Sequence, residues 1–267
     1  MTHYFSTRYF IRPPHVTLEG FNYMSAEGIK TYSEYNYLKP GIGSFLRTRH
    51  FEYALRLTEE YFQKCNVIDF ACADGPFLPS LARYFNHVVA IDRNPEFVDL
   101  ASKVVSAAGL KNVKLICNHD LTMRDLKSKL GKIKYHVLFL LETLEHVGDK
   151  SNLWESRVKF VKELFKLVDE VGIIVISVPN MVGIPFLLQR FGLFLLNADR
   201  EPISKTNLLK ASFFNNTTDL EKQWRGGHLG FNHKKLESHL EKEFRILKRK
   251  DMLFQLIYVC RRSINND

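Results

Sequence analysis

An apolar run that ends in an acid, passes through very small residues and meets a proline constrains this chain more than any other feature: NVIDFACADG over 66–75, followed by Pro76. A strand, a tight small-residue turn and a helix start is how an open α/β sheet makes a nucleotide-sized pocket, because only small side chains let a ligand lie against turn backbone. The turn reads Ala71, Cys72, Ala73, Asp74, Gly75. A dinucleotide site wants G-x-G-x-x-G, whose glycines let a pyrophosphate reach the amides of a helix N-terminus. With alanine at two of those positions and Asp74 adding a negative charge, the loop suits a ligand that lacks phosphate and carries positive charge.

The sequence around this turn alternates short β-branched apolar runs with helical patterns, the mark of a parallel sheet with crossover helices. Strands are predicted at 65–70, 87–92, 113–117, 135–141 and 172–178, with helices at 76–85, 95–108, 123–130 and 152–168. Pro76 and Pro95 suit first helical turns, and Asn94 before Pro95 suits an N-cap. Residues 45–61 are amphipathic and read as an extra helix on the sheet. The aromatic-rich 1–44 reads as an arm or lid. The α/β rhythm breaks at 180–226, which reads as an inserted helical cap, and resumes with a helix from 233 and two strands, 244–249 and 253–261, close enough to form an antiparallel hairpin. The expected architecture is therefore a doubly wound, mostly parallel seven-stranded α/β sheet closed by that hairpin. One main domain spans 45–262 and a short tail 263–267.

An apolar fraction of 45% over 267 residues supplies a core for one such domain. There is no apolar run of membrane-spanning length, and MTHYFSTRYFIRPPH lacks a signal-peptide core, so the expected location is cytoplasmic, without stable membrane insertion. Cys65, Cys72, Cys117 and Cys260 show no C-x-x-C or Cys/His ligand spacing and read as free thiols. The net charge of +9 is spread over helix-like stretches mixed with acids. It leaves RNA, an acidic small molecule or an anionic surface open as partners and chooses none. Oligomeric state is not fixed.

Ligands of such sheets lie outside the carboxyl ends of the strands, and those ends are acidic here: Asp69, Asp92, Asp120 and Glu142. A carboxylate at the second strand tip, Asp92, suits a ribose diol. Together these segments resemble the class I S-adenosylmethionine-dependent methyltransferases, over about 45–262. VIDFACADG is similar to that family's glycine-rich first motif, with Ala71 and Ala73 where glycine is usual. VVAIDRNPEFVDLA resembles its second motif, CNHDL the segment whose acid meets the adenine amine, LLETLEHVGD the fourth-strand motif, and GHLGFNHKKLESHLEKEF a C-terminal pattern of small-molecule members. The resemblance implies S-adenosylmethionine as cofactor, contacted by Asp69, Ala71, Cys72, Ala73, Gly75, Asp92, Arg93, Asn94, His119, Asp120, Leu121 and Glu142. A sulfonium and an ammonium without phosphate would explain the acidic strand ends.

The implied reaction is methyl transfer to a small-molecule or lipid-like acceptor, with oxygen as the expected accepting atom. In-line displacement at an activated methyl needs mainly alignment, and a base helps if the acceptor is a hydroxyl. His119, His146 and His228 are the candidate bases. No metal is required by this reading. Glu142, Glu145 and His146 form E-x-x-E-H, which also resembles the metal site of small-RNA 2′-O-methyltransferases, leaving an RNA methyltransferase as the alternative, along with a catalytically silent cofactor-binding relative. The cap residues Phe186, Leu187, Phe191, Phe194 and Leu195 either line a pocket, dock on a surface or pack on the domain. Tyr35, Tyr37 and Arg47 or Arg49 are candidates to close over the cofactor's methionine end.

Overall fold

A computed structural model describes residues 7–39, 41–195 and 202–263. Its seven strands are β1 (Asn66–Phe70), β2 (His87–Asp92), β3 (Val113–Cys117), β4 (Val137–Leu141), β5 (Ile173–Pro179), β6 (Phe244–Asp251) and β7 (Gln255–Arg262), in the order β3-β2-β1-β4-β5-β7-β6. β1 pairs in parallel with β2 and β4, β2 pairs in parallel with β3, and β6 and β7 are antiparallel. The predicted doubly wound sheet and its closing hairpin are both present. β4, VLFLL, is nearly continuous apolar sequence, which fits a parallel strand covered on both faces.

The helices are α1 (Ile42–Leu57), α2 (Leu78–Tyr84), α3 (Pro95–Ala107), α4 (Met123–Leu130), α5 (Leu153–Phe165), α6 (Gly183–Leu195), α7 (Lys205–Phe214), α8 (Thr218–Lys222) and α9 (His233–Leu240). Their starts follow local chemistry. Asn94 caps α3 by accepting from the Glu96 amide at 2.9 Å, with Pro95 in the first turn. Thr122 and Asp125 form a reciprocal capping box on α4. α2 begins two residues later than Pro76 suggests, because Gly75 N–H bonds Cys72 O and Leu78 N–H bonds Gly75 O, extending the turn. No helix among the described residues is long and apolar enough to cross a membrane.

The chain divides into two compact units, 1–141 with 165–175 and 142–164 with 176–267. In the first, Val67, Ile68, Val89, Ile91 and Leu138 are fully buried, and the Phe77 and Phe85 rings stand edge-on to Phe139 with centroids 5.4 and 5.8 Å away. Each such ring contributes about 1.5–3 kcal/mol by burial. The segment read as an arm is fastened to this unit. Glu52 of α1 accepts from the amides of Tyr9 and Phe10 at 2.8 and 2.9 Å, Phe10 stacks on Phe51, and Arg12 bonds Tyr37 O. In the second unit Phe186, Phe231, Leu236, Leu240 and Leu256 form the buried apolar set. Of the cap residues named from sequence, Phe186 is buried, whereas Phe191, Phe194 and Leu195 of α6 are exposed.

Candidate active site

The small-residue turn leaves β1 with three left-handed residues: Ala71 at φ 62°, Ala73 at φ 48° and Gly75 at φ 83°. Glycine adopts such angles freely and alanine does not, so the two alanines hold the backbone shape that glycine favours, at a cost of about 1–2 kcal/mol each. Hydrogen bonds pin them there: Cys72 N–H donates to Ile91 O at 3.0 Å, and Ala73 N–H to Asp92 Oδ2 at 2.8 Å. Glycine is favoured at 75, since its φ of 83° strains an L side chain and a Cβ there would stand 2.9 Å from Leu78 Cδ1, which would have to shift. Asp74, read from sequence as a charge that would repel phosphate, is buried and tied to the arm, accepting from Ser33 N–H at 2.8 Å and Ser33 Oγ–H at 2.6 Å. Burial raises the Cys72 thiol well above its ordinary pKa, with the nearby carboxylates adding to the shift, so this thiol stays protonated.

Asp69 and Asp92 supply the charge. Asp69 is buried, its Oδ2 accepts no hydrogen bond, and burial together with the negative Asp92 pushes its pKa up to about 7. Asp92 ends β2, accepts from both the Ala73 and Asn94 amides at 2.8 and 2.9 Å, and is raised in pKa by burial despite those bonds. Asp92, Arg93, Asn94 and His119 line one cavity of about 500 Å³ together with Pro95, Glu96 and Phe97. His119 is oriented there by Nδ1, which donates to Arg93 O at 3.2 Å. The side chain of Asp120 is 91% exposed, and neither it nor Leu121 lines that cavity. Phe21, Tyr23 and Tyr32 of the arm contact the Phe97 ring. Arg47, a candidate for the methionine carboxylate, instead bonds Tyr35 O and Asn36 Oδ1 at 3.2 Å each.

In the second unit, Glu142 also sits in left-handed backbone, at φ 48°. Ser177 holds it, accepting Glu142 N–H through its carbonyl at 3.1 Å and donating Oγ–H to Glu142 Oε1 at 2.9 Å. Burial raises Glu142 to a pKa of about 7 against the hydrogen bonds of Ser177 and Gln255. Glu145 is fully buried, and burial followed by repulsion from Glu142 raises it further. His146 and His228 bring Nε2 to Nε2 at 3.2 Å, and burial next to His146 lowers His228 to about 4, so it is neutral at ordinary pH. Arg157, which sequence reasoning missed, is completely buried. Its Nε and Nη2 donate to Val147 O and Glu145 O at 3.0 Å each, and its guanidinium lies against Trp154, Trp224 and Phe231. Burial lowers its pKa to about 10, still a full cation at neutral pH. A second cavity of about 940 Å³ in this unit is lined by Lys150, Lys222, Arg225, Trp224, Gly226 and Leu229, among others.

Buried acids at the first two strand tips, the second lining a cavity, on a 3-2-1-4-5-7-6 sheet mark a class I, Rossmann-like methyltransferase. Residues 62–245 match the model of the methyltransferase domain family, and the chain belongs to that family. Similar folds occur in a protein from Pyrococcus horikoshii (15% identity, 84% of this chain and 93% of that one, TM-score 0.55) and an S-adenosylmethionine-dependent methyltransferase from Clostridium acetobutylicum (13%, 81% and 92%, 0.53). The N-methyltransferase NodS from Bradyrhizobium japonicum, solved with S-adenosyl-L-homocysteine, is similar at 12% identity over 82% of this chain and 88% of that one, with a TM-score of 0.50. No curated protein matches the chain.

The cofactor of this methyltransferase is S-adenosylmethionine, and the residues fit it. The buried Asp69 Oδ2 has no hydrogen-bond donor, and the carboxylates would repel a pyrophosphate but attract a sulfonium or ammonium. When bound, the cofactor supplies a methyl group on sulfonium sulfur, already activated for displacement.

Proposed function

We propose that this chain methylates an oxygen of a small, amphipathic, acidic acceptor, with the segment 180–226 selecting it. The observation that carries this reading is the cavity of about 940 Å³, within the range of metabolite-sized pockets. Its wall combines Leu220, Trp224 and Leu229 with the cations of Lys150, Lys222 and Arg225, matching an apolar body that bears a carboxylate or phosphate. Exposed Phe191, Phe194, Phe213 and Phe214 on α6 and α7 extend the same preference toward lipid-like molecules.

On the cofactor side, Asp92 and the Asn94 segment would take the ribose, His119 and Phe97 the base, and Asp69 the cationic end. On the acceptor side His146 is a proton acceptor in the right tautomer. A carbonyl only accepts, so the contact of His146 Nδ1 with Gly226 O puts the proton on Nδ1 and leaves Nε2 unprotonated, facing His228 Nε2. Neutral His228 lies beside it, and together they can take the hydroxyl proton of an acceptor. A cytoplasmic location is consistent with four free cysteines. Incubation with isotopically labelled cofactor and a panel of hydroxy-acids, lipid-like alcohols, amines and structured RNA tests the reading. Label is expected in a hydroxylated small molecule, and label confined to amines or RNA would refute it.

A further inference from the structure

The exposed apolar surface of this chain is concentrated rather than scattered. Among the described residues, eight of the fourteen exposed large apolar side chains fall on α6 and α7, which pack against each other in the second unit. Ile184, Leu188, Phe191 and Leu195 recur on α6 at i, i+4, i+7 and i+11, which puts them in one stripe along a helix of 3.6 residues per turn. Phe194 flanks that stripe, and Leu209, Phe213 and Phe214 stand out from α7. All eight are between 49% and 77% exposed. The four phenyl rings alone leave roughly 500 Å² of apolar area in water, near the upper end for the largest patch of a typical monomer.

Packing onto the domain does not account for that surface. α6 buries Phe186 and Arg190, one turn apart, and the rest of GIPFLLQRFGLFL has Gln189 as its one polar side chain. A helix apolar on all sides is ordinarily enclosed by protein or lipid. A protein partner would ask for about one hydrogen bond per 100–200 Å² of contact, and the stripe of Ile184, Leu188, Phe191 and Leu195 has no side-chain donor or acceptor to give. Hydrocarbon asks for none. At 13 residues α6 is about 20 Å long, too short to cross a core of about 30 Å, so it can lie on a bilayer but not span one. The neighbouring polar groups favour negative lipid. Exposed Lys222 and Arg225 line the large cavity with Lys150, exposed Lys205 opens α7, and the two acids of 202–225 are paired, Asp219 with Lys210 and Glu221 with Lys235. α7 joins the two surfaces: Ser204 and Asn207 at its start line the cavity, and Phe213 lies about 9 Å further along the axis.

We propose that α6 and α7 form a docking face for an anionic lipid surface, with the phenyl rings seated at the headgroup boundary and Lys205, Lys222 and Arg225 against the headgroups. Phenylalanine and leucine on one side with cations beside them is the arrangement of helices that lie in the plane of a membrane interface. Attraction between the cations and negative headgroups brings the face to the surface, and burial of the rings holds it there. Docking in this way sets the cavity wall beside the lipid, so an acceptor dissolved in the membrane reaches it without passing through water. That consequence rests on the proposed acceptor, whereas the docking itself does not.

The test is flotation of the full chain with vesicles of phosphatidylcholine, alone or with about one-third phosphatidylglycerol, at low and high salt. Binding to the mixed vesicles is expected to be at least about tenfold tighter than to phosphatidylcholine alone, and to weaken as salt rises. The double variants Phe191→Ser/Phe194→Ser and Phe213→Ser/Phe214→Ser should each weaken it at least about tenfold. Circular dichroism and S-adenosyl-L-homocysteine binding report that these variants, altered only at exposed positions, are folded. Absence of vesicle binding, equal binding to both compositions, or unchanged binding in both variants overturns the docking face. So does a wild-type dimer that the variants turn into a monomer while no form binds vesicles, which would assign the face to a second copy of the chain. Vesicle binding with label transferred only to molecules that never enter a membrane would remove the lipid-like acceptor and leave the docking standing. Label in a lipid-like alcohol without vesicle binding would do the reverse.

Discussion

Two groups of buried carboxylates, one in each unit, show opposite ways of keeping negative charge inside a protein. In the first unit Asp92 is answered by two backbone amides and Asp74 by Ser33, and among the buried acids of the described residues there only Asp69 keeps an oxygen without a hydrogen bond. In the second unit Glu145 has no hydrogen bond to either oxygen, and its neighbours are another carboxylate and two imidazoles. The first arrangement is a cradle waiting for one modest cation. In the second, burial and the neighbouring carboxylate push Glu145 toward its protonated form, with the Arg157 guanidinium opposing them. Left-handed backbone accompanies both, at Ala71 and Ala73 after β1 and at Glu142 after β4, so strain alone does not distinguish them.

The largest effect expected in the first group comes from Asp92→Ala. Two charge-assisted hydrogen bonds to a ribose diol are worth about 1.5–3 kcal/mol each, so cofactor affinity should fall by at least about 100-fold. Removal also strands the Ala73 and Asn94 amides, so the melting temperature should drop as well. Calorimetry with S-adenosyl-L-homocysteine, checked against circular dichroism, reads both. Unchanged affinity in a folded variant would mean that Asp92 only braces the turn, and the contrast between the two groups of acids would lose its first half.

The second-largest effect concerns Arg157, which presents the His146 segment. Arg157→Leu keeps bulk among Trp154, Trp224 and Phe231 but strands two carbonyls and leaves Glu145 without its nearest cation. Breaking a buried charge pair costs about 3 kcal/mol or more, which for a domain of this size lowers the melting temperature by roughly 6–12 °C. A variant as stable as the wild type would show that Glu145 is neutral in the folded protein.

The same contrast explains what could be read from sequence. Asp69, the turn and Asp92 lie within twenty-four consecutive residues and act through local backbone, so a strand–turn–helix pattern exposes them. The doubly wound sheet and its hairpin were legible for the same reason, since alternation of strands and helices permits few topologies, whereas the strand order came only with the structure. His146 and His228 are eighty-two positions apart, and only folding brings their Nε2 atoms to 3.2 Å. His228 could be named from sequence as a candidate base but not as a neighbour of His146, and Arg157, an arginine in a helix, reads as an ordinary residue until the partners around it are known. Asp120 could be named from its place after β3, but not the exposed position of its side chain, 3.8 Å from His119 Nε2.

A smaller effect separates the two groups by pH. The folded pKa of Asp69, about 7, lies above its ordinary carboxylate value, so the stability it contributes is present at low pH and is lost as pH rises from about 4 through about 7. A cationic ligand reverses the preference by favouring the ionised form. Affinity for S-adenosylmethionine should therefore rise between about pH 6 and pH 8, by up to about tenfold, the equivalent of one pKa unit. Asp69→Asn should flatten that profile. A profile equally steep in the variant would assign the titration to another group, Asp92 being the nearest candidate.

The smallest effect tests whether the turn is shaped for its ligand or merely tolerated. Ala71 and Ala73 occupy angles that glycine adopts without a Cβ penalty, so Ala71→Gly relieves about 1–2 kcal/mol of strain while adding some unfolded-state entropy. The net gain should be about 0.5–1 kcal/mol, or roughly 1–4 °C in melting temperature. Such a gain would show that the alanines are held in place by the Ile91 and Asp92 hydrogen bonds against their own preference. It should come with cofactor affinity unchanged or improved, because the substitution only opens space beside the turn. A loss of stability would instead mean that the alanine methyls pack against the fold, making the turn a structural element first and a binding loop second. The first unit would then resemble the second, with its strain held by packing.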